Sequence, residues 1–327
     1  MTKDKVIASL RQSDGYVSGE EISQALGISR AAVNAAVKNL RKDGYIIHSS
    51  TNKGYMLHDS PDKLNIGEIL ALIGKRAENV ICLNKVDSTN NHARMLAQQG
   101  APDGLIVVSN EQTGGKGRLG RSFYSPKDKG IYLSMLMRPH CLPTEITNLT
   151  AWVAVAMCHA IETVSGVRPG IKWVNDLIVN GRKIGGILTE MAVEGESGHI
   201  QHVIVGIGIN VREGESDFPQ DIRPIASSLA IETGMEINRA RLACEMIRAL
   251  DQLRADWPKQ KAAYLSAYRK ECMIAGKEIR FVRDGIERTG IAEEIDDDFG
   301  LVVRFIDGSR ESLTSGEVSV RGLHGYV

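Results

Sequence analysis

A two-residue turn inside one apolar stretch constrains the fold of this chain more than any other feature. In LIVNGRKIGGILTEM, residues 177–191, the pair Asn180-Gly181 separates two runs of strand-forming residues. Asn-Gly is the strongest short-range indication of a type I′ hairpin turn, because both central residues of that turn need a positive φ. Other strand patterns alternate with long helical ones between residues 65 and 270. Such grouping predicts an α+β domain with a mixed or largely antiparallel sheet, and not a doubly wound parallel one.

Residues 1–62 have a different pattern, in which short helices precede an alternating pair of strands. Ser18 and Ser29 are suited to cap the starts of two helices, and Gly27 stands where the first helix would stop. The stretch YIIHSSTNKGYML then alternates about a turn and predicts a β-wing. We therefore predict a winged helix-turn-helix domain.

The second of these helices is the one that would enter a DNA major groove. Between residues 29 and 42 it carries four basic residues and no acidic one, whereas the formal net charge of the whole chain is +0. A DNA-binding surface would therefore be a local patch. Within the helix-turn-helix at residues 19–38, the candidate DNA contacts are Ser29, Arg30, Asn34 and Lys38. A solvated basic helix on an interaction module is the alternative, but the added wing favours DNA binding.

Two further changes of pattern divide the rest of this chain of 327 residues. Ser60-Pro61-Asp62 is typical of a linker, so a second domain is predicted at residues 65–270. Residues 273–327 contain five short strand patterns and seven Lys and Arg against eleven Asp and Glu, a net charge of −4. We predict a small acidic β-barrel there, which faces a basic ligand or covers a neighbouring site and does not touch nucleic acid.

Cysteine use and hydropathy exclude several classes of protein. The five cysteines are scattered, odd in number and never spaced as C-x-x-C, which argues against a disulfide framework and a zinc site. No apolar run approaches the roughly 18–20 residues that a membrane span needs, and the first residues have no apolar signal segment. We expect a protein of a reducing cytoplasm without a membrane partner.

The glycine-rich loop GGKGRLGRS, residues 114–122, matches two nucleotide motifs in part. Its glycines fit G-x-G-x-x-G, and its end resembles a P-loop with Arg in place of Lys. Both motifs need a helix directly afterwards, but the next residues, SFYSPKDKGIYLSML, predict a loop and a strand. The loop still combines a flexible backbone with three cations, Lys116, Arg118 and Arg121, which suit a phosphate. From these residues alone, an anion-binding loop and a solvated basic loop remain equally open.

The predicted hairpin places a lysine beside glycines. By strict alternation along a strand, Lys183, Gly185 and Ile187 are predicted to share one face. A buried ammonium on that face would need an anion, and the pair Gly185-Gly186 would let a flat ligand lie against the backbone. A surface lysine that follows a turn is the alternative.

Four motifs together resemble those of biotin protein ligases. They are DSTNNHA at 87–93, EQTGGKGRLGRSFYSP at 111–126, KWVNDLIVNGRKIGGIL at 172–188 and VGIGINV at 205–211. With the winged helix in front, the chain is similar to the bifunctional kind, which combines a biotin ligase and a biotin operon repressor, over essentially its whole length. The resemblance implies a catalytic core of the biotin/lipoate ligase type, related to class II aminoacyl-tRNA synthetases, between the DNA-binding domain and an SH3-like barrel.

The same resemblance implies a reaction in two steps. The biotin carboxylate attacks the α-phosphate of Mg-ATP, which gives biotinyl-5′-AMP and pyrophosphate. A lysine of a biotin carboxyl carrier protein then attacks the activated acyl carbon. Because a carboxylate and a triphosphate repel each other, the site must supply preorganised cations. No permanent cofactor and no covalent nucleophile of the chain are implied.

Roles for individual residues also come from the resemblance. The catalytic candidates are Lys183, Arg118, Arg121 and Asp176, with Asp176 assigned to organising either a lysine or the Mg²⁺ that enters with ATP. Those for biotin are Ser88, Thr89, Asn90, Gln112, Gly114, Lys116, Gly117, Arg118, Lys183, Gly185 and Gly186. Those for ATP and the adenylate are Arg118, Arg121, Phe123, Asn175, Asn210 and Arg321. Lys183→Ala should abolish adenylation with little loss of stability, because an unpaired cation that lines a surface is not part of the core.

Regulation is implied as well. Closure of the glycine loop and of a second segment, residues 212–223, would exclude water from the adenylate and complete a homodimer. The adenylate would then act as corepressor and bring two winged helices to a palindromic operator, in competition with the carrier protein.

Two residues depart from the family pattern. Lys116 replaces Arg in G-R-G-R, and Val174 replaces Pro in K-W-P-N-D. We expect these substitutions to alter the kinetics without loss of activity.

Two other functions fit part of the pattern. A lipoate ligase would share the core and the adenylate chemistry, but the winged helix and the Gly-x-Gly-Arg-x-Gly-Arg loop favour biotin. A repressor that senses a ligand without catalysis would have no need for Lys183, Arg118 and Arg121 around a phosphate.

Overall fold

The computed structural model describes residues 2–283, 286–314, 319–322 and 326, with the backbone alone at 319–322. Three parts follow one another: helices with a two-stranded hairpin, a seven-stranded sheet with helices, and a five-stranded sheet. This order agrees with the predicted α+β architecture. Among the helices of these residues, none combines the length and the apolar character that a membrane span requires.

The N-terminal part is a winged helix-turn-helix, as predicted. Its elements are α1 (Thr2–Arg11), α2 (Gly19–Leu26), α3 (Arg30–Lys42), β1 (Ile46–Ser50) and β2 (Gly54–Asp59). The Ser18 hydroxyl accepts from the Glu21 N–H at 3.0 Å, and the Glu21 carboxylate accepts from the Ser18 N–H at 2.9 Å, which closes a capping box. Gly27 ends α2 at a φ of 62°, a left-handed conformation that glycine adopts without strain, and Ser29 caps α3.

A seven-stranded mixed sheet forms the middle of the chain. Its strands are β3 (Val80–Leu83), β4 (Ile106–Ser109), β5 (Ile131–Met137), β6 (Gly170–Lys172), β7 (Asp176–Val179), β8 (Arg182–Val193) and β9 (Ile200–Ile209). The order is β3-β4-β5-β9-β8-β7-β6, with β3 and β4 parallel and the other neighbours antiparallel. The helices are α4 (Ile66–Ile73), α5 (Thr89–Gln98), α6 (Leu149–Ser165), α7 (Leu229–Thr233), α8 (Arg239–Asp256) and α9 (Lys261–Glu271). The predicted mixed sheet is confirmed.

The two faces of this sheet meet different elements. Along β5, Leu133 and Met135 join the large apolar core to which α6 and α8 contribute. Leu136 points to the opposite face by alternation, and it clusters there with Ala93 and Ala97 of α5. The same face of the sheet, next to the start of α5, lines the cavity that is described below.

The β7–β8 hairpin turns at Asn180 and Gly181, whose φ angles are 49° and 79°. Two positive φ angles are those of a type I′ turn, so the predicted turn is confirmed. The strand after the turn is not regular, because consecutive residues of β7 pair with Lys183 and with Gly185. One extra residue therefore bulges from β8 between these two pairs.

The bulge changes which residues of β8 share a face. A shift by one residue moves every later side chain to the other side of the sheet. A Cβ on Gly186 would lie 3.3 Å from Lys183 Nζ, whereas a Cβ on Gly185 would meet the apolar side chain of Ile209. The prediction that Lys183 shares its face with Gly185 and Ile187 is therefore wrong, and Gly186 takes that place.

The linker between the first two parts is held by charged side chains. Asp62 accepts from the guanidinium of Arg239 at 2.9 Å and from that of Arg212 at 3.0 Å. Arg239 begins α8, is 1% exposed, and also donates to the Asn110 side chain at 3.2 Å. A guanidinium buried to this degree needs such partners to offset its desolvation.

Five short antiparallel strands form the last sheet, where five were predicted. They are β10 (Glu278–Arg283), β11 (Ile286–Ile295), β12 (Leu301–Arg304), β13 (Arg310–Leu313) and β14 (Ser319–Gly322), in the order β13-β12-β11-β10-β14. Within the described residues no pairing joins β13 to β14, so the sheet is open where a small barrel was predicted. Ile279 and Phe281 are fully buried in the common core. The Trp173 indole donates to the Phe299 carbonyl at 2.9 Å and ties this sheet to the β6–β7 connection.

Candidate active site

One end of the central sheet opens into a cavity of about 760 Å³. Strand β9 contributes its floor, and a Cβ on Gly208 would lie 2.4 Å from the Phe123 ring, so glycine is required for that ring to lie on the sheet. The walls are the glycine loop, the start of α5, the β7–β8 hairpin and residues 218–226. The predicted site residues that line the cavity are Ser88, Thr89, Asn90, Gln112, Lys116, Gly117, Arg118, Arg121, Phe123, Asn175, Asp176, Lys183, Gly186 and Asn210. Gly114 and Gly185, which were predicted with them, lie outside its wall.

A hydrogen-bonded polar group lies at the end next to α5. The Gln112 side-chain oxygen accepts from the Thr89 N–H at 2.8 Å and from the Thr89 hydroxyl at 3.1 Å. The Gln112 amide group donates to the Ser125 hydroxyl at 3.0 Å. Ser88 and Thr89 are 2% and 3% exposed. A buried polar group without a hydrogen-bond partner costs about 1–3 kcal/mol, so a ligand that enters this end has to offer partners to the wall. This end of the cavity therefore suits a neutral ligand that brings donors and acceptors.

Asn90 belongs to the same end, but its side chain is engaged by the protein. Its amide group donates to the Glu190 carboxylate at 2.7 Å, and its oxygen accepts from the Ser134 hydroxyl at 2.6 Å. Arg94 pairs with the other oxygen of Glu190 at 2.5 Å. Sequence reasoning missed Ser134, although a hydroxyl in the buried strand IYLSMLM was a signal that could have found it. Asn90 thus fixes the wall of the cavity.

A second, charged group lies on the β7–β8 hairpin. Lys183 Nζ is 2.5 Å from Asp176 Oδ1, and the Tyr326 hydroxyl donates to Asp176 Oδ2 at 2.5 Å. Burial by itself raises the pKa of Asp176, but Lys183 and the Tyr326 hydroxyl outweigh it and hold that pKa below its ordinary value. Asp176 is therefore a carboxylate and Lys183 its paired ammonium, which replaces both the unpaired cation and the solvated surface lysine considered from sequence.

Lys172 is a further cation of this group, and sequence reasoning missed it. It is 4% exposed, and its Nζ lies 3.4 Å from the centre of the Tyr326 ring. An ammonium over an aromatic face is stabilised electrostatically, and more strongly where water is excluded. The signal for Lys172 was a charge in the apolar stretch IKWV, whereas no local pattern marks Tyr326.

The glycine loop places one arginine inside the cavity. Arg118 Nη1 donates to the Asn175 side-chain oxygen at 3.1 Å, and burial lowers the pKa of its guanidinium from the ordinary value. Arg121 and Lys116 are exposed in the wall, where the Lys116 ammonium donates to Asn91 at 2.7 Å. The loop leads to strand β5 and not directly to an α-helix, so it is neither of the nucleotide motifs that it partly matches.

Two candidates for adenylate binding differ in how far the structure describes them. The Asn210 side chain donates to the Ser227 carbonyl at 2.9 Å and lines the cavity. The backbone of Arg321 pairs with that of Arg280, which also lines the cavity. The side chain of Arg321 lies outside the described part of the chain, so its predicted contact stays a prediction.

The segment 212–223 contains a buried acid that sequence reasoning did not distinguish from its neighbours. Glu213 is 1% exposed, and its carboxyl oxygens have no hydrogen-bond partner among the described residues. Burial raises its pKa to about 7. Phe218 of the same segment lines the cavity, so this acid lies in the element that was predicted to close the site.

Known proteins are similar to this chain both in sequence and in fold. Residues 82–210 match the Biotin/lipoate A/B protein ligase family, and residues 2–56 match an HTH domain. The bifunctional ligase/repressor BirA of Bacillus subtilis is 36% identical over 261 residues, 79% of each chain. Its namesake from Escherichia coli is 30% identical over 322 residues, 97% of this chain and 96% of the relative. The chain belongs to the biotin protein ligase family.

A solved structure supports this membership at the level of the fold. The biotin protein ligase of Aquifex aeolicus in complex with biotin and ATP has a TM-score of 0.65 and 26% identity, over 75% of this chain and 99% of that one.

Val174, which stands where the family pattern has a proline, is buried in this structure. It is 2% exposed, and its carbonyl accepts from the buried Tyr268 hydroxyl at 3.3 Å. The core therefore holds the backbone before Asn175. The kinetic effects of Lys116 and Val174 stay predictions.

Proposed function

We propose that this chain activates biotin with ATP, transfers it to a lysine of a biotin carboxyl carrier protein, and represses transcription. The observation that carries this proposal is a single cavity with a neutral polar end at Thr89 and Gln112 and a charged end at Lys183. Biotin has a neutral ureido ring at one end and a carboxylate at the other. Its chemistry therefore matches the cavity end for end.

The first step in this proposal joins two anions. The biotin carboxylate oxygen attacks the α-phosphorus of ATP, the bond from phosphorus to the pyrophosphate oxygen breaks, and biotinyl-5′-AMP forms. Lys183, Arg118 and Arg121 line the cavity and supply positive charge where negative charge accumulates. Asp176 holds the Lys183 ammonium in place, so less reorganisation is needed during the reaction.

In the second step, the uncharged amine of a carrier lysine attacks the acyl carbon and AMP leaves with the bonding electron pair. The amine releases its proton to solvent, and no side chain of this protein forms a covalent bond. Water would destroy the adenylate before transfer. The glycine loop and the segment 212–223 both contribute to the cavity wall, where their closure would exclude water.

Magnesium enters, in this proposal, as part of the substrate Mg-ATP. Magnesium sites often use one or two carboxylates together with phosphates and water. Asp176, however, has one oxygen on Lys183 and the other on Tyr326. Within the described residues no group of three or more His, Cys, Asp or Glu could hold a metal ion. These contacts favour an ion held by phosphates and water, without Asp176 as a ligand.

The winged helix supports the proposed DNA binding. The exposed side of α3 and its N-cap carry the predicted contacts Ser29, Arg30, Asn34 and Lys38. The opposite side buries Val33 and Val37 in the domain core. Arg41 belongs to neither set, because its Nη2 donates to the Ile47 carbonyl at 2.6 Å and so joins helix and wing. Loss of Lys38 should weaken DNA binding uniformly across sequences and make it less dependent on salt.

The regulatory part of the proposal rests on the family resemblance. Biotinyl-5′-AMP acts as corepressor, its binding favours a homodimer on operator DNA, and the carrier protein competes for the dimer surface on the central sheet. Sedimentation velocity with biotin and ATP tests this switch. We expect a shift from monomer to dimer, and an unchanged monomer population would contradict it.

The finer architecture and the location belong to the same proposal. We infer a winged helix-turn-helix domain at 1–62, a class II synthetase-like core at 65–270 and an SH3-like domain at 273–327. We place the protein in the cytoplasm, because the proposed function needs ATP, carrier proteins and DNA in one compartment.

Biotin-dependent exchange of labelled pyrophosphate into ATP tests the ligase function. We expect exchange with biotin and none with lipoate. Exchange with lipoate alone would identify a lipoate ligase. Biotin binding without any exchange would leave a repressor that senses its ligand without catalysis.

A further inference from the structure

Tyr326 contacts both members of a cross-strand pair in the candidate active site. Lys172 at the end of β6 and Asp176 at the start of β7 lie opposite each other in the sheet register. The Lys172 ammonium lies 3.4 Å from the centre of the Tyr326 ring, and the Tyr326 hydroxyl donates to Asp176 Oδ2 at 2.5 Å. One side chain, which follows the last sheet in sequence, thus fixes a cation and an anion of the central sheet.

The groups that Tyr326 contacts belong to the charged end of the cavity. The Asp176 side chain is 15% exposed, and its Oδ1 lies 2.5 Å from Lys183 Nζ. Lys172 is 4% exposed and lines the same cavity. Both ammonium groups act electrostatically on this one carboxylate. With the Tyr326 hydroxyl on Oδ2, the other oxygen is directed to Lys183, and in a site of low dielectric the loss of one such donor has a large effect.

We propose that Tyr326 is a positioning residue for adenylation, which orients Asp176 toward Lys183 and holds Lys172 beside the same site. This inference rests on the proposed ligase function. Because Tyr326 acts through charged groups, its loss changes the stabilisation of the transition state. The binding of biotin through Thr89 and Gln112, at the other end of the cavity, is left almost unchanged.

The cavity geometry distinguishes a positioning residue from an obstruction. Tyr326 lies in the wall, and about 760 Å³ of cavity remains beside it. That volume is within the range of about 300–1,000 Å³ that small-molecule sites occupy. Tyr326 therefore leaves room for the substrates.

Two substitutions separate the contributions of the hydroxyl and of the ring. Tyr326→Phe removes the hydroxyl, and Tyr326→Ala removes both. Tyr264→Phe is a matched control, because the Tyr264 hydroxyl donates to a different aspartate, Asp256, at 3.1 Å and lies outside the cavity wall. Biotin-dependent pyrophosphate exchange yields kcat and the KM values for biotin and for ATP.

We expect Tyr326→Phe to lower kcat about tenfold, as for one hydrogen bond to a charged group, with the KM for biotin within about twofold of wild type. Tyr326→Ala should lower kcat further, because Lys172 loses the aromatic face as well. Tyr264→Phe should match the wild type in each constant.

The pH profile supplies a readout that a merely structural role would not move. The Tyr326 hydroxyl stabilises ionised Asp176, so its removal raises the pKa of Asp176. The acid limb of the kcat profile should therefore move to higher pH in Tyr326→Phe. Other charged and titratable groups that act on Asp176 stay in this variant, namely Lys183, Lys172, Arg118 and Tyr268.

Wild-type kcat together with an unmoved pH profile in Tyr326→Phe would refute the proposal. A faster Tyr326→Ala protein would show that Tyr326 obstructs the site and would overturn it as well. Where a thermal melt finds Tyr326→Ala unfolded, Tyr326→Phe decides. If the wild-type protein shows no biotin-dependent pyrophosphate exchange, the proposed function fails and this inference fails with it. If the wild-type protein is active and Tyr326→Phe is unaffected in kcat and pH profile, only this inference is contradicted.

Discussion

Lys183 and Asp176 form an ion pair across the β7–β8 hairpin, with 2.5 Å between Nζ and Oδ1. Gly186 lies opposite Asp176 in the register, and a Cβ there would come 3.3 Å from Lys183 Nζ and 3.5 Å from Asp176 Oδ1. The absence of a side chain at Gly186 therefore gives the lysine room to reach its partner. This contact links catalysis to stability.

Lys183→Ala should abolish adenylation and lower the free energy of unfolding by about 1–3 kcal/mol, because a mostly buried carboxylate loses its ammonium. The expectation of little stability loss assumed an unpaired lysine and is revised by this ion pair. Pyrophosphate exchange and urea unfolding measure the two effects. Lys85→Ala is the control, since Lys85 is 60% exposed in its pair with Glu111 and should change stability by less than about 1 kcal/mol. Near-wild-type ligation by Lys183→Ala would disprove its assigned role.

Arg118→Gly should speed the release of biotinyl-5′-AMP more than it slows its formation. The guanidinium is held by Asn175 at 3.1 Å inside the cavity and is proposed to clamp the phosphate. Loss of a charge-assisted contact should raise the release rate about tenfold or more. Release of labelled adenylate after dilution measures this rate, with the exposed Lys127→Ala as control. Unchanged release would argue against the clamp.

Glu213→Gln should flatten the dependence of stability on pH. The pKa of Glu213 is raised from an ordinary 4.5 to about 7, so the folded state binds this proton more tightly than the unfolded chain does. Its contribution is therefore full below about pH 4.5 and is lost as the pH rises through about 7, up to about 3 kcal/mol in all. Urea unfolding at about pH 5 and about pH 8 measures this difference.

At the higher pH, the Glu213→Gln variant should be more stable than the wild type. The amide stays uncharged in the buried position, whereas the wild-type carboxyl group there carries a negative charge. Glu196→Gln, at an exposed position, is the control and should keep the wild-type slope. The same slope in Glu213→Gln as in wild type would contradict the assigned pKa.

Asp62→Ala should destabilise the protein by about 3–5 kcal/mol, because Arg239, which is 1% exposed, loses the carboxylate that lies 2.9 Å from its Nε. Asp62→Asn should cost less, since an amide oxygen still accepts from the guanidinium. Urea unfolding measures both, with the exposed Asp14→Ala as control. If Asp62→Ala unfolds like the control, the linker is not held by this contact.

Features that depend on neighbouring residues were predicted correctly. The caps at Ser18 and Ser29 and the type I′ turn at Asn180 each involve backbone hydrogen bonds or φ angles within a few residues. The glycine loop was separated from two nucleotide motifs by the strand pattern that follows it. The hairpin-like grouping of the strand patterns also predicted the mixed sheet, since the turn signal that joins two strands is local as well.

The sequence by itself thus determined the elements and their order, and most of the site residues predicted from it line the cavity. Tertiary structure decided which of these residues touch: a bulge put Gly186 and not Gly185 beside Lys183, and chain packing brought Tyr326 to Asp176, 150 residues away. The physical reason is range. Backbone preferences act within a turn, whereas strand register and buried charge pairing depend on partners that are distant in the chain and meet after folding.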